Sequence, residues 1–260
     1  MLGEVLSFTL GSCLGSFLNV VAYRLPKGRS VVRPGSRCPR CRAEIAFYDN
    51  IPILGWVLLG GRCRRCRKAI SPRYPAVELA VAVLSLAVWR RWSVEPAWAV
   101  CVAAACGALV AVALIDWDTF LIPDALSLGL LAAGVLASPL NPLLRSPAAS
   151  WYAPVWWSLR GSVVGFAMCW GVAAVGERLF GKEAMGGGDI KLLAAVGAWS
   201  GGLGAFDCLM LGSFAGSIYG VGLMASGRLK RSDPIPFGPF LSAGAIFNFF
   251  VLVPLGFPFS

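Results

Sequence analysis

Eight apolar stretches occupy most of this sequence, and their length limits the possible folds more than any other feature. They run at roughly 2–23, 75–92, 96–115, 121–138, 155–176, 189–203, 206–226 and 238–256. A helix needs about 20 apolar residues to cross a bilayer, and 57% hydrophobic residues with a mean hydropathy of +0.72 are not typical of a soluble domain. The sequence therefore predicts an all-α polytopic membrane protein with about eight transmembrane helices. The sixth stretch is short because it ends in glycines, so it either merges with its neighbour or enters the bilayer partway.

The positive charge lies mainly on one side of the predicted membrane domain. Residues 24–74 form a polar insertion between the first transmembrane helix (1–23) and the remaining membrane domain (75–260). Nearly all of the 23 Lys and Arg residues share the side of this insertion, the exceptions being Arg90, Arg91, Arg145 and Arg160. The positive-inside rule places that side in the cytoplasm and both termini outside. We therefore attribute the net charge of +10 to topology and anionic lipid headgroups, and expect no nucleic-acid partner.

The polar insertion contains two C-x-x-C pairs, with 21 residues between Cys41 and Cys63. This spacing is close to that of a zinc ribbon. Cys38, Cys41, Cys63 and Cys66 can place four thiolates around one tetrahedral ion. Two disulfides are the alternative, but the reducing side of the membrane favours a metal. Four sulfur ligands leave no position for a water molecule, so the predicted Zn²⁺ is structural and not catalytic.

The chain has no histidine, which excludes several classes of enzyme. A Ser-His-Asp triad, a Cys-His pair and an H-E-x-x-H zinc site cannot be built. Proton transfer must then use carboxylates, lysine, tyrosine, cysteine or water. The acidic residues deserve individual scrutiny, because a charge in or beside a membrane span is costly and needs a reason.

Two acidic clusters lie at the predicted cytoplasmic ends of spans. Asp116 ends the third span, and Asp189 follows a run of three glycines and begins the sixth. Helix ends at equal depth can bring the two carboxylates together, and neighbouring carboxylates resist double ionisation, so they share a proton. Such a pair can act as an aspartyl protease, in which one carboxylate activates water and its neutral partner donates a proton.

Three glycines, Gly186, Gly187 and Gly188, precede Asp189. They leave the backbone uncovered and free to take positive φ, so an extended substrate strand can lie against it. The helix that begins there also offers free N–H groups. The alternative is a flexible turn with Asp189 as an ordinary N-cap.

Three further charged residues lie near the two clusters. Asp118 should point away from Asp116 on a continuing helix, which makes it the weaker catalytic candidate. Asp124 follows a proline and precedes an apolar run, so an N-cap is the better interpretation. Lys191 either offsets charge near Asp189 or lies at the membrane interface, and we favour the interface.

Six motifs in one order resemble the type IV prepilin leader peptidases, which belong to the G-x-G-D membrane aspartyl proteases. The series begins with Gly15-Ser-Phe-Leu-Asn-Val-Val-Ala-Tyr-Arg-Leu-Pro26, followed by the two cysteine pairs and Asn50-Ile-Pro52. It continues with Arg73-Tyr-Pro-Ala-Val-Glu-Leu79 and the elements around Asp116 and Asp124. It ends with Gly186-Gly-Gly-Asp-Ile-Lys191 and Pro234-Ile-Pro-Phe-Gly-Pro239. The resemblance covers nearly the whole chain.

The resemblance implies a specific activity in the bacterial inner membrane. Asp116 and Asp189 correspond to the family's catalytic aspartates, and Gly186 to Gly188 and Lys191 belong to the motif beside the substrate. The enzyme is expected to cut the leader of prepilins or pseudopilins at the cytoplasmic face. Many members also methylate the new N-terminus with S-adenosylmethionine, an activity that we associate with the cysteine-rich insertion and Gly61. The alternative is a non-enzymatic transporter or assembly scaffold with a zinc-ribbon docking module.

Overall fold

A computed structural model describes residues 1–144, 150, 152–181, 185–230 and 233–251. Within these ranges the regular elements are helices, which confirms the all-α prediction, and two isolated β-bridges accompany them. The α-helices are α1 Leu2–Arg24, α2 Leu54–Leu58, α3 Arg73–Trp92, α4 Pro96–Thr119, α5 Asp124–Ala137, α6 Ala153–Phe180, α7 Gly187–Ala225 and α8 Gly238–Asn248. Single 3-10 turns occupy Leu25–Lys27, Phe47–Asn50 and Ser138–Leu140.

Four helical segments in the described ranges are long and apolar enough to cross a membrane. They are Leu2–Lys27, Pro96–Thr119, Ala153–Leu179 and Gly187–Ala225, and Asp124–Leu140 is a shorter apolar helix. The length and composition of these four helices therefore indicate a membrane protein. Residues 252–256 of the eighth predicted stretch, and Arg145, lie outside the described residues.

The chain divides into two compact units, Met1–Gly107 and Ala108–Ser260. In the first unit, α1 packs along α3 through two glycines spaced four residues apart. A Cβ atom at Gly11 would lie 2.5 Å from Oγ of Ser85, and one at Gly15 would lie 2.7 Å from Cα of Glu78. The missing side chains let the two helices approach closely, as in other membrane helix pairs.

In the second unit α7 is the central helix and packs against α5, α6 and α8. It is interrupted at Gly201, whose φ of 71° and ψ of −177° are not helical. Such a break leaves carbonyl groups before it without helical partners, and an apolar environment requires other donors for them. Oγ of Ser158 donates to the Ala198 carbonyl at 2.7 Å, and Nδ2 of Asn141 donates to the Trp199 carbonyl at 2.7 Å. The sixth and seventh predicted stretches thus correspond to two helical halves that join at the break at Gly201.

Glycines also set the distance between α6 and the first half of α7. A Cβ atom at Gly161 would collide with the carbonyl oxygen of Gly197, and one at Gly165 would collide with that of Leu193. In both cases the added Cβ would meet backbone atoms of α7, and no side-chain rotation could relieve the collision. The close approach orients the half of α7 that carries Asp189 at its start.

Candidate active site and metal centre

The four paired cysteines converge in the first unit. Their Sγ atoms all lie within 4.8 Å of one another. Sγ of Cys38 lies 3.9 Å from that of Cys66, and Sγ of Cys41 lies 4.0 Å from that of Cys63. A tetrahedral Zn²⁺ with Zn–S bonds of about 2.3 Å requires sulfur atoms separated by about 3.8 Å. The cluster therefore fits a metal ion, and all four thiols are free, not paired in disulfides.

The two C-x-x-C segments have the same backbone conformation. In the first segment, the backbone N–H of Arg42 donates to the Cys38 carbonyl at 2.9 Å. In the second, the backbone N–H of Arg67 donates to the Cys63 carbonyl at 3.0 Å. Arg42 and Arg67 each have a φ of 57°, which turns the chain back just after the second cysteine of the pair. An antiparallel β-bridge closes each turn. We call these two turns the first and second knuckle.

The second knuckle favours a thiolate at Cys63 but not at Cys66. The backbone N–H of Lys68 opposes the shift at Cys66, yet burial and hydrogen bonds with the other three cysteines raise its pKa to about 11. Backbone N–H groups of Cys66 and Arg65 donate toward Sγ of Cys63 and lower the pKa of that thiol to about 6. A thiolate is the form that binds metals. The largest causes of this lowered pKa are backbone hydrogen bonds, not the charges of neighbouring side chains.

Gly61 has a structural reason to be glycine. Its φ is +67°, and a Cβ atom there would lie 2.8 Å from the Trp56 ring. Its carbonyl accepts a 2.7 Å hydrogen bond from Ile70, and Nε1 of Trp56 donates to the Ile70 carbonyl at 3.2 Å. Gly61 thus joins α2 to the second knuckle, and a methyltransferase role remains a prediction.

Asp116 lies near the end of α4 and is buried, with 5% of its surface exposed. Its Oδ2 accepts a 2.8 Å hydrogen bond from the backbone N–H of Gly238, the first residue of α8. A donor from a helix N-terminus stabilises a negative carboxylate. Gly238 has no side chain, which allows this contact, because a Cβ atom would lie 2.8 Å from the same oxygen.

Asp189 lies in the first turn of α7, and its charge interacts with that of Asp116. Both predicted catalytic aspartates lie in the second unit, and they are close enough for their charges to interact. Among the described residues, the buried Oδ1 atom of Asp189 has no hydrogen-bond partner. The N-cap of α7 is Gly186, with no side-chain capping bond, so the alternative of Asp189 as an ordinary N-cap is wrong.

The glycines before Asp189 differ from one another. Gly186 is extended, with a φ of −69°, and the positive φ values of the described glycines lie elsewhere in the chain. A Cβ atom at Gly188 would lie 2.9 Å from Cβ of Ile122, whereas at Gly187 nothing lies within 4 Å. Packing against Ile122 therefore explains why residue 188 is glycine, whereas the space beside Gly187 is empty.

The three charged residues near the two aspartates are Asp118, Asp124 and Lys191. Asp118 is exposed and so lies apart from the buried Asp116, as predicted. Asp124 is not an N-cap, since that position is Pro123. Instead its Oδ1 accepts a 2.6 Å hydrogen bond from Nζ of Lys191. Lys191 thus joins the starts of α5 and α7 and does not contact Asp189.

Sequence reasoning gave no role to two features of this site. Gly238 belongs to the Pro234–Pro239 motif, and a proline just inside a helix start could have indicated a helix N-terminus there. A row of aromatic rings also begins at Trp117, the residue after Asp116. The ring centroid of Trp117 lies 5.6 Å from that of Tyr219, and the centroid of Tyr219 lies 5.5 Å from that of Phe240. The three rings come from α4, α7 and α8, so only the packing of these helices reveals the row.

Comparisons with known proteins match both parts of the chain. Residues 9–92 match the family described as Bacterial Peptidase A24 N-terminal domain, and residues 96–221 match the Type IV leader peptidase family. A prepilin leader peptidase/N-methyltransferase of Aeromonas salmonicida is 38% identical, over 91% of this chain and 87% of the relative. The protein of that name from Pseudomonas aeruginosa is 37% identical over 90% and 85%, respectively. One from Myxococcus xanthus is 40% identical over 86% and 64%. No solved structure matches the chain.

Proposed function

The chain belongs to the type IV leader peptidase family and is an enzyme of type IV prepilin processing, and we propose that Asp116 and Asp189 form its catalytic dyad. The observation that carries the proposal is the hydrogen bond from Gly238 to Asp116, on a carboxylate within Coulombic range of Asp189. The family match does not favour the alternative of a transporter or scaffold.

The surroundings of the two carboxylates suggest their roles. The N–H of Gly238 stabilises a negative charge on Asp116, which suits the carboxylate that takes a proton from water. Asp189 is the neutral partner that donates a proton to the developing oxyanion or the leaving amine. Its buried Oδ1, which has no hydrogen-bond partner among the described residues, is the oxygen that we assign to this proton.

The substrate that we propose is a prepilin or pseudopilin, cut after its short basic leader. Gly187 is open beside Asp189, so the substrate backbone can approach the acid there. The row Trp117, Tyr219 and Phe240 offers an apolar surface for the helix that follows the cleavage site.

For the membrane we propose about eight spans in the bacterial inner membrane, with the active site facing the cytoplasm. Besides the four long apolar helices, this requires α3, α5 with its 3-10 extension, the second half of α7 and the α8 region to cross. The break at Gly201 permits the two halves of α7 to be separate spans. We retain residues 1–23, 24–74 and 75–260 as the functional division.

The four-cysteine cluster is proposed to hold a structural Zn²⁺, which would join the two knuckles and neutralise their thiolates. The names of the relatives add an N-methyltransferase to the leader peptidase, and we propose a second activity that methylates the new pilin N-terminus. We propose that it uses S-adenosylmethionine and depends on the cysteine module, with Gly61 acting through the shape of the second knuckle. Substitution of Gly61 should then lower methylation more than cleavage.

A gel-shift assay with a model prepilin in detergent tests the dyad. Asp116→Asn and Asp189→Asn should each lower cleavage by about a thousandfold or more, because either change removes one proton-transfer partner. Asp118→Asn is the matched control, since it removes an exposed carboxylate two residues away, and it should retain most activity. Full processing by the Asp116→Asn, Asp189→Asn double variant would refute the proposal.

A further inference from the structure

The short helix α2 exposes an apolar face. Leu54, Val57 and Leu58 are spaced i, i+3 and i+4 and therefore share one side of the helix. All three are exposed, Leu58 to 80%. Phe47 and Ile51, just before the helix, are exposed as well. We call these five side chains the apolar patch.

The opposite side of α2 is held against the cysteine module. A Cβ atom at Gly55 would collide with the Asp49 carbonyl oxygen, so the helix lies directly on the preceding turn. Trp56 packs against Gly61 and donates to the Ile70 carbonyl at 3.2 Å. These contacts fix the orientation of α2, so the apolar patch points outward as part of the folded structure.

A buried carboxylate places the start of α2 beside a membrane helix. The N–H of Ile53, the residue before α2, donates a 2.6 Å hydrogen bond to Oε2 of Glu78 on α3. Glu78 is buried, and Gly15 of the apolar helix α1 packs against its Cα. At 1.5 Å per residue, Glu78 lies about 7 to 8 Å along α3 from its first residue, Arg73. With the basic Arg73 at the membrane surface, as the proposed span of α3 requires, the chain enters α2 at a depth comparable with the headgroup layer, which is about 6 Å thick.

The insertion that carries the apolar patch is strongly positive. Residues 24–74 contain thirteen basic and two acidic residues. Both acids are already paired: Glu44 with Arg37, and Asp49 with Arg64, Oδ1 of Asp49 lying 2.6 Å from the guanidinium. The remaining cations suit an anionic surface and would repel the basic leader of a prepilin.

We propose that the apolar patch lies in the headgroup region of the bilayer, against anionic lipids, and anchors the cysteine module on the membrane. An exposed apolar patch within a strongly basic segment that contacts a membrane-spanning helix pair matches the pattern of interfacial membrane segments. The inference rests on the proposed membrane spans of α1 and α3, and it is independent of the catalytic dyad.

Site-specific photo-crosslinking of the full chain in nanodiscs tests this anchor. A benzophenone amino acid replaces Leu58, and nanodiscs contain either phosphatidylcholine alone or an added phosphatidylglycerol fraction. Val32 is the matched control, because it is 75% exposed in the same insertion but lies outside the patch. The yield of lipid adducts at Leu58 should exceed that at Val32 by about fivefold or more, and should rise with phosphatidylglycerol.

Crosslinking at Leu10, an exposed residue of α1, separates the two possible failures. Lipid adducts at Leu10 but none at Leu58 would overturn the anchor and leave the span of α1 intact, whereas no adducts at either position would refute the span itself. Adducts of Leu58 with an added prepilin, or with a second copy of the chain, would also overturn the anchor. A Val57→Asp, Leu58→Asp variant should lose at least about fivefold of lipid adducts from benzophenone at Leu54.

Discussion

The backbone N–H of Gly238 donates a 2.8 Å hydrogen bond to Oδ2 of Asp116, although 122 residues separate them in the chain. The contact requires a glycine, because a Cβ atom at position 238 would lie 2.8 Å from that oxygen and 3.1 Å from Cβ of Asp116. The start of α8 thus orients the carboxylate to which we assign water activation. Changes at Gly238 should therefore act on the chemistry.

We expect Gly238→Ala to lower kcat for prepilin cleavage by about tenfold to a hundredfold, because a small displacement of a catalytic group has an effect of this size. Gly216→Ala is the matched control on the neighbouring helix, where the new Cβ would lie 3.4 Å from the Phe240 ring, an ordinary contact. Steady-state kinetics on a model prepilin measures both. Unchanged kcat in a folded Gly238→Ala variant would contradict this role for the hydrogen bond.

The glycines before Asp189 should separate a packing effect from a substrate effect. Gly188→Ala places a Cβ 2.9 Å from Cβ of Ile122 and should lower the melting temperature, since overpacking costs about 1–3 kcal/mol. Gly187→Ala meets nothing within 4 Å, so it should leave the melting temperature unchanged. If substrate lies against this backbone, Gly187→Ala should raise KM about threefold or more. An unchanged KM would exclude the substrate contact at Gly187.

The close approach of α6 and α7 predicts a strong position effect along α6. Gly161→Ala should destabilise the protein by about 1–3 kcal/mol or more, because its Cβ would collide with the Gly197 carbonyl and no rotamer change can relieve that contact. Gly171→Ala, on the same helix with nothing within 4 Å, is the control and should not lower stability. Thermal unfolding in detergent distinguishes them, and equal melting temperatures would argue against the packing described.

Metal content should depend on the four clustered cysteines alone. Ser in place of any one of Cys38, Cys41, Cys63 or Cys66 removes one of four thiolates, so bound zinc should fall well below one equivalent per chain. Cys13→Ser, which changes an exposed thiol outside the cluster, should retain it. Elemental analysis of purified protein measures the ratio. A full equivalent of zinc in a variant lacking all four cysteines would refute the site.

The affinity of this site for zinc should fall as the pH falls. Zinc displaces protons from thiols, so acid competes with the metal, by about tenfold per pH unit for each thiol that is protonated in the free protein. The pKa of Cys63 is lowered to about 6 by backbone hydrogen bonds, so protonation of Cys63 adds to this loss only below about pH 6. Chelator competition across this range should therefore show a steeper loss of affinity below pH 6. An affinity independent of pH would contradict thiolate ligation.

Local sequence patterns predicted the helices and the cysteine cluster well. Apolar runs indicated where α1, α3, α4 and α6 lie, because a long helix in lipid must satisfy its own backbone hydrogen bonds and present apolar side chains to the lipid. The C-x-x-C spacing predicted the convergence of four thiols, since each pair is closed by hydrogen bonds within a few residues. The family resemblance, which depends on the order of short motifs, is confirmed by the matches over both parts of the chain.

Capping and charge pairing were predicted less well, because they depend on which helices meet. Asp124 reads as an N-cap in isolation, yet Pro123 holds that position and Asp124 pairs with Lys191 from another helix. In the same way, the glycines before Asp189 were interpreted as leaving the backbone free to take positive φ, but Gly188 is required by contact with Ile122. Lys191 and Ile122 both lie far outside the few residues that a capping or turn pattern covers.

By itself the sequence determined the all-helical class, the cysteine ligand set, the family and the two aspartates as candidates. These features depend on composition and on spacings of a few residues, where geometry follows from the covalent chain. Tertiary structure alone decided that Gly238 holds Asp116, that Glu78 holds Ile53 and that glycines set the distance between α6 and α7. Each of these contacts joins residues far apart in sequence, and only the packing of whole helices determines which of many possible partners meet.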